Sequence, residues 1–100
     1  MSSISELQSD IDKYDRLKER LSAVSRQLKQ STSACRDFSA KLNTNCSING
    51  SNPVIADRAK DLGGFIESIT GYIDNAIIPH IDWNNKCSRE TIDQLEQEEE

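Results

Sequence analysis

The side chains in this sequence that could carry out chemistry are three cysteines and one histidine: Cys35, Cys46, Cys87 and His80. Disulfide frameworks use an even number of cysteines, and zinc sites and redox pairs commonly space two of them as C-x-x-C. Here the number of cysteines is odd, and no two of them are separated by only two residues. We therefore expect three free thiols, no metal ion and no cofactor.

The single histidine is also a weak candidate for catalysis. A general acid or base needs a reacting group held within hydrogen-bonding distance. His80 directly follows Pro79, and the carboxylates near it along the chain are those of Asp74 and Asp82. We interpret His80 as a polar residue of a helix pair, and we predict no catalytic residues and no enzymatic activity.

The elements that position these side chains are two amphipathic helices. In the first half of the chain, apolar residues follow each other at alternating spacings of three and four, a pattern typical of helices that pack against another helix. The spacing predicts a helix over about residues 4–43. Its core stripe is predicted to run through Leu17, Leu21, Val24, Leu28, Ser31, Cys35, Phe38 and Leu42.

A polar segment over residues 43–53, with Asn-Gly as its sharpest turn signal, predicts a loop. The second helix is predicted over about residues 53–97, with a kink near Pro79 because proline lacks the backbone donor that a helix interior requires. Residues 98–100 are predicted to be a frayed acidic tail. The predicted core stripe of this helix comprises Ile55, Ala59, Leu62, Ile66, Ile69, Ile73, Ala76, His80, Trp83 and Cys87.

Two long amphipathic helices joined by a short loop pack most simply as an antiparallel hairpin. The fold prediction is therefore an all-α protein with a single helical-hairpin domain over residues 1–97. With the turn near Ile48, residue i faces roughly residue 96 minus i. A single seam between two helices buries little surface, so we expect the chain to need a partner, either another helical protein or a second copy of itself.

Charge and hydropathy exclude several classes of function. The formal net charge is −5, and residues 89–100 contain one base and six acids, which account for all of it. This acidic balance argues against nucleic-acid binding. The longest apolar run, Ala76-Ile77-Ile78, is too short for a membrane span, and the N-terminus lacks the apolar stretch of a signal peptide. We expect a chain that is cytoplasmic or is exported without a cleavable signal peptide.

Five residues of the second helix are candidates for a partner interface. Phe65 and Tyr72 lie seven residues apart and widen the apolar face, and each directly follows a glycine, Gly64 or Gly71. Glycine inside a helix costs about 1 kcal/mol relative to alanine, which is consistent with close approach of another helix. The alternative is that both rings pack onto the first helix of the same chain. Trp83 has the same two interpretations, as a partner contact or as a core residue.

The chain resembles the small helical proteins of type VII secretion, and more narrowly the accessory proteins that accompany LXG-type toxins. The resemblance covers length, hairpin layout, the acidic tail and residues 77–82, IIPHID, an apolar-Pro-x-Ile sequence that leads into polar residues. The chain departs from the core pattern because its loop, with Ser47-Ile48-Asn49-Gly50, lacks W-x-G. It also lacks the signal Tyr-x-x-x-Asp/Glu, because Tyr72 is followed four residues later by Ala76.

The resemblance implies a helical accessory protein that pairs with the helical N-terminal domain of a secreted toxin or effector and forms an export-competent complex. The missing signal implies that the chain either relies on the signal of its partner or is not itself exported. The alternative, from a different class, is a cytoplasmic homo-oligomeric coiled-coil scaffold or regulator. A neighbouring gene that encodes a long protein with a helical N-terminal domain would favour the first hypothesis.

Overall fold

The computed structural model describes residues 2–45 and 52–99, with the side chains of residues 3–43 and 53–99. Every described residue is helical, in the order α1 (Ser2–Asn45), α2 (Asn52–Tyr72), a π-helical segment (Ile73–Ile77) and α3 (Ile78–Glu99). The predicted all-α hairpin fold is therefore confirmed. Most of the predicted loop, including Cys46 and the Asn-Gly pair, lies outside the described residues.

The second helical run departs from α geometry just before Pro79, at the π-helical segment. Proline offers no N–H to the carbonyl four residues earlier, and its ring crowds that carbonyl. A π-helical turn is wider than an α-helical turn, so it makes room for the proline ring without ending the helix. Beyond this point α3 continues to Glu99, so it extends into the segment for which fraying is expected.

The chain divides into two compact units, which α1 passes through in turn. Unit 1 comprises Met1–Ala23 and Ile73–Glu100, and unit 2 comprises Val24–Tyr72. In unit 1 the amide Nδ2 of Asn85 donates to Oδ1 of Asp15 at 2.9 Å, and Nζ of Lys18 lies 2.6 Å from Oδ1 of Asp82. Because the numbering rises on one helix as it falls on the other, α1 and α3 are antiparallel.

The core of unit 1 is apolar, as expected of a helix pair. Its buried apolar side chains are Ile11 on α1, Ile73 in the π-helical segment, and Ile81 and Ile92 on α3. Asn85 lies among them with only 2% of its surface exposed, and its Oδ1 has no hydrogen-bond partner. The predicted core stripe is therefore wrong on α3, where His80 and Trp83 are exposed and the buried residues are Ile81, Asn85 and Ile92. Leu17 of the first predicted stripe and Ala76 of the second are exposed as well.

The pair formed by Asp15 and Asn85 gives a first testable prediction. Asp15→Ala removes the acceptor of Nδ2 and leaves both polar atoms of a buried amide unsatisfied, so we expect unfolding free energy to fall by about 1–3 kcal/mol. Adding Asn85→Leu should recover most of this loss, because both partners are then gone. Denaturant titration followed by circular dichroism measures both changes. The exposed control Asp12→Ala should have little effect, and equal destabilisation by the two alanine variants would contradict the assignment.

Unit 2 is built differently. Six of its described residues are buried, and all of them are small: Ser25, Thr32 and Ser39 on α1, and Ala56, Gly63 and Thr70 on α2. On each helix these residues follow each other at intervals of seven, so they form one straight line along the contact. The fully buried part of the contact in unit 2 therefore consists of small side chains, and the larger apolar residues Leu28, Leu42 and Ile66 are half-buried beside them.

The buried hydroxyl groups of this contact find acceptors on the backbone. Ser39 Oγ donates to the carbonyl of Ala56 across the helix pair at 2.8 Å. Thr32 Oγ1 and Thr70 Oγ1 donate to carbonyls four residues earlier on their own helices, at 3.1 and 3.0 Å. A buried hydroxyl that is hydrogen-bonded avoids most of its desolvation cost, so a contact of small polar residues is tolerated.

The predicted core stripes are wrong at alternate positions in unit 2, whereas their other members there are half-buried at the contact: Leu28, Cys35 and Leu42 on α1, and Ala59 and Ile66 on α2. On α1 the large residues Val24 and Phe38 are exposed, and on α2 Ile55, Leu62 and Ile69 are exposed. At these positions the buried residue is the next one along the helix, and it is small, because small side chains allow the two backbones to approach closely. The predicted register is close to the observed one, since paired residue numbers add to 95 at Ser39 and Ala56.

Candidate partner-binding surface

Large apolar side chains are exposed along unit 2. Phe65 and Tyr72 expose 64% and 65% of their surface and Leu62 exposes 52%. We call seven of these exposed residues the apolar flank, and we leave out Val54, which lies two residues before the contact position Ala56. It comprises Val24 and Phe38 on α1, and Ile55, Leu62, Phe65, Ile69 and Tyr72 on α2.

An ion pair fixes which side of unit 2 carries these residues. Arg36 and Glu67 form a salt bridge between α1 and α2, and each follows a buried contact residue, Thr32 or Gly63, by four positions. On a helix, the residue four after a contact position and the residue one before it lie on opposite sides of the contact. Because Arg36 and Glu67 share one side, the residues that precede contact positions share the other.

Five members of the apolar flank occupy such preceding positions. Val24 and Phe38 directly precede Ser25 and Ser39 on α1. On α2, Ile55, Leu62 and Ile69 directly precede Ala56, Gly63 and Thr70. The apolar residues of both helices thus lie on a single side of unit 2.

Phe65 and Tyr72 extend this surface outwards on α2. Each lies two residues after a contact position, Gly63 or Thr70, which places it next to the line of Leu62 and Ile69 and further from α1. Of the two interpretations made from the sequence, packing of both rings onto the first helix does not fit their exposure of almost two thirds. Their role in binding a partner stays a prediction.

The glycine that permits close approach within the chain is Gly63, which the sequence did not single out. A Cβ atom at Gly63 would lie 3.3 Å from Cβ of Cys35 and 3.6 Å from the carbonyl oxygen of Thr32. A Cβ atom at Gly64 would meet no heavy atom within 4 Å, and Gly71 is half-buried. Gly64 therefore has open space beyond its backbone, on the side of the contact that carries Glu67 and not on that of Leu62.

Trp83 belongs to unit 1, where it lies on α3 with 61% of its surface exposed. Its ring stacks on that of His80, with 6.0 Å between centroids and 26° between planes. The pair forms an exposed aromatic patch of its own. The structure therefore places the predicted interface residues in two groups, with Phe65, Tyr72, Gly64 and Gly71 on α2 and Trp83 on α3.

The described residues contain no cluster of histidine, cysteine and carboxylate side chains that could hold a metal ion. Cys35 and Cys87 are half-buried free thiols, and Cys46 lies outside the described range. No helix in the described part of the chain has the length and apolar character needed to cross a membrane.

The free thiols give a second prediction. We expect three free thiols per chain when the protein is unfolded without a reducing agent and titrated with a thiol reagent. Cys35 packs against Gly63 within unit 2, whereas Cys87 belongs to unit 1. Mass spectrometry without reduction should give the mass of the fully reduced chain. A Cys35–Cys87 disulfide in the native monomer would contradict the antiparallel register.

Comparison with known proteins gives no relative, since no family model, no curated protein and no solved structure matches the chain. Any function must therefore be argued from the geometry described above.

Proposed function

We propose that this chain is a non-enzymatic helical adaptor whose apolar flank pairs with a helical domain of another protein. More specifically, the partner is the helical N-terminal domain of a toxin or effector exported by type VII secretion, and pairing creates the complex that the export machinery accepts. The chain itself is cytoplasmic or leaves the cell with its partner. No catalytic group and no cofactor takes part.

The observation that carries this proposal is the inverted arrangement of side chains in unit 2. Small residues fill the contact inside the chain, while seven large apolar residues face solvent on one side. Full burial of one such side chain contributes about 1.5–3 kcal/mol, so covering seven half-exposed ones offers on the order of 5–10 kcal/mol before the costs of association. A micromolar complex needs about 8 kcal/mol net of those costs, so the flank supplies a large share of the gross stabilisation and polar contacts must add to it.

The extent of the apolar flank supports the same proposal. At 150–250 Å² for a fully exposed large side chain, seven residues at roughly half exposure leave on the order of 600 Å². That matches the largest patches found on monomeric proteins, which are about 300–600 Å² and often functional, and it approaches the about 800 Å² that each partner buries in a standard interface.

The part of the proposal that concerns type VII secretion rests on the resemblance in sequence layout. In this proposal Trp83, on α3, makes a second contact with the partner. The runner-up, a homo-oligomeric coiled-coil scaffold or regulator, uses the same apolar flank to bind a second copy. The two functions differ in which molecule binds the apolar flank when a helical domain of another protein and a second copy of this chain are both present.

Co-expression of the chain with the product of each neighbouring gene, followed by light scattering on the purified material, tests the proposal. We expect a stable complex with the helical N-terminal domain of a longer protein, and a chain that alone is partly folded or weakly associated at micromolar concentration. A chain that is a monomer with a sharp, concentration-independent melt and binds none of these products would contradict it. A stable homo-oligomer that excludes them would favour the scaffold.

A further inference from the structure

The charges that border the apolar flank narrow down its partner. The flank and its outer border occupy two lines on each helix, one residue before and two residues after the buried contact positions. These lines hold the seven flank residues together with Ser31, Gln27, Ala34, Lys41 and Arg58. The two charged residues in this set are both basic, and none of the twelve positions carries an acid.

The remaining described surface of unit 2 has a different balance. Four acids, Asp37, Asp57, Asp61 and Glu67, are matched there by four bases, Arg26, Lys29, Arg36 and Lys60. The formal charge is therefore +2 along the flank and zero elsewhere in this unit, in a chain whose total is −5. The positive charge is confined to the apolar side, and both of its residues lie towards the loop end of the helices.

We propose that the apolar flank binds an amphipathic helix of another protein that carries carboxylates beside its apolar stripe, with these carboxylates placed over Arg58 and Lys41. This rests on the proposed adaptor function and adds the chemistry of the partner. Arginine pairs with a carboxylate through two parallel hydrogen bonds, and arginine and tyrosine are enriched among residues that dominate binding. The aromatic residues Phe65 and Tyr72, nearer the other end of α2, take the apolar part of the same helix.

A second copy of this chain fits the surface less well. It would bring the same twelve positions, so the basic residues of each copy would meet apolar or basic groups and no carboxylate. Complementary charge raises the association rate and suppresses wrong partners, whereas uncompensated like charge across an interface is unfavourable. An acidic amphipathic helix supplies both the apolar contact and carboxylates that face the two basic residues of the flank.

Two synthetic helices test the inference with the full-length chain. Both are about 25 residues long, roughly the length of the flank at 1.5 Å per residue, with leucine and isoleucine at heptad core positions. One carries glutamate beside the apolar stripe and the other carries lysine at the same positions. Binding of each fluorescently labelled helix is measured by anisotropy at low and at physiological salt.

We expect the glutamate helix to bind about tenfold more tightly than the lysine helix at low salt, with a smaller ratio at higher salt because exposed charges are screened. Arg58→Glu should reverse the preference. Arg26→Glu makes the same charge change at an exposed position outside the flank and should leave the preference intact. Phe65→Asp should weaken binding of both helices.

Equal binding of the two helices, or binding of neither, would overturn the acidic-partner inference. The adaptor function would still stand if a co-expressed neighbouring protein bound through Phe65 and Tyr72. Self-association that is lost in Phe65→Asp and competes with both helices would overturn the inference and the adaptor function together, and would assign the flank to a second copy.

Discussion

Phe65→Asp and Tyr72→Asp are each expected to abolish or severely weaken binding of the partner while leaving the helicity of the isolated chain unchanged. Both rings expose almost two thirds of their surface, so an aspartate there removes little packing within the chain. In a complex, the same aspartate would be buried without a positively charged group arranged to receive it. We expect a loss of at least about 2 kcal/mol in binding, or roughly thirtyfold in Kd.

The measurement pairs circular dichroism of each variant with its affinity for the co-expressed partner. Ser33→Asp is the matched control, since it adds the same charge at an exposed position of α1, three residues before Arg36 on the side opposite the flank. Helicity lost in step with binding would mean that the rings stabilise the chain itself. If both variants still bound the partner, Phe65 and Tyr72 would not be part of the interface.

Gly63→Leu is expected to cause the largest loss of stability among substitutions on α2, whereas Gly64→Leu, at the next residue, should be neutral or stabilising. A Cβ atom at position 63 already approaches Cβ of Cys35 to 3.3 Å, so the rest of a leucine side chain must force α1 and α2 apart. Overpacking a close contact costs about 1–3 kcal/mol, and the lost hydrogen bond between Ser39 and the Ala56 carbonyl would add to it.

At Gly64 the space beyond the backbone is open, and neither glycine has a positive φ. Replacing a helical glycine by leucine there should gain up to about 1 kcal/mol of helix propensity. Denaturant titration of the two variants and of the unsubstituted chain gives the sign of each change in unfolding free energy. Equal effects at 63 and 64 would contradict the close contact of small residues in unit 2.

The alternating spacings of three and four predicted both helices, their antiparallel pairing and a register within a few residues of the observed one. They did not predict which stripe forms the contact in unit 2. The largest apolar residues at heptad spacing, such as Leu62 and Phe38, were assigned to the core because burial of large side chains usually dominates. In this chain a neighbouring line of small residues forms the contact, and the large ones lie beside it.

A sequence signal for this arrangement exists. Small residues recur at intervals of seven on both helices, and all of them except Thr32 directly follow a large apolar residue. They are Ser25, Thr32 and Ser39 on α1, and Ala56, Gly63 and Thr70 on α2. Two adjacent heptad lines on one helix, one small and one large, indicate two contacts rather than one. Which line faces the other half of the chain depends on how closely the backbones approach, and periodicity alone does not encode this. The polar Ser31 in the large line then has a simple explanation, because that line is exposed.

The partner-binding surface could not be predicted from the sequence for a different reason. A binding surface has no motif of its own, and exposed aromatic residues such as Phe65 differ from core residues only in what surrounds them. The structure supplies those surroundings, through the Arg36–Glu67 pair on one side and the bare apolar residues on the other.

Methyl NMR of the isotope-labelled chain, recorded with and without its partner, tests the central claim that the apolar flank is a partner-binding surface. The account predicts large shifts or broadening for the methyl groups of Val24, Ile55, Leu62 and Ile69. It predicts small changes for the buried methyl groups of Ile11, Ile81 and Ile92 in unit 1. Changes confined to unit 1, with the methyl groups of the flank unaffected in a saturated complex, would contradict it.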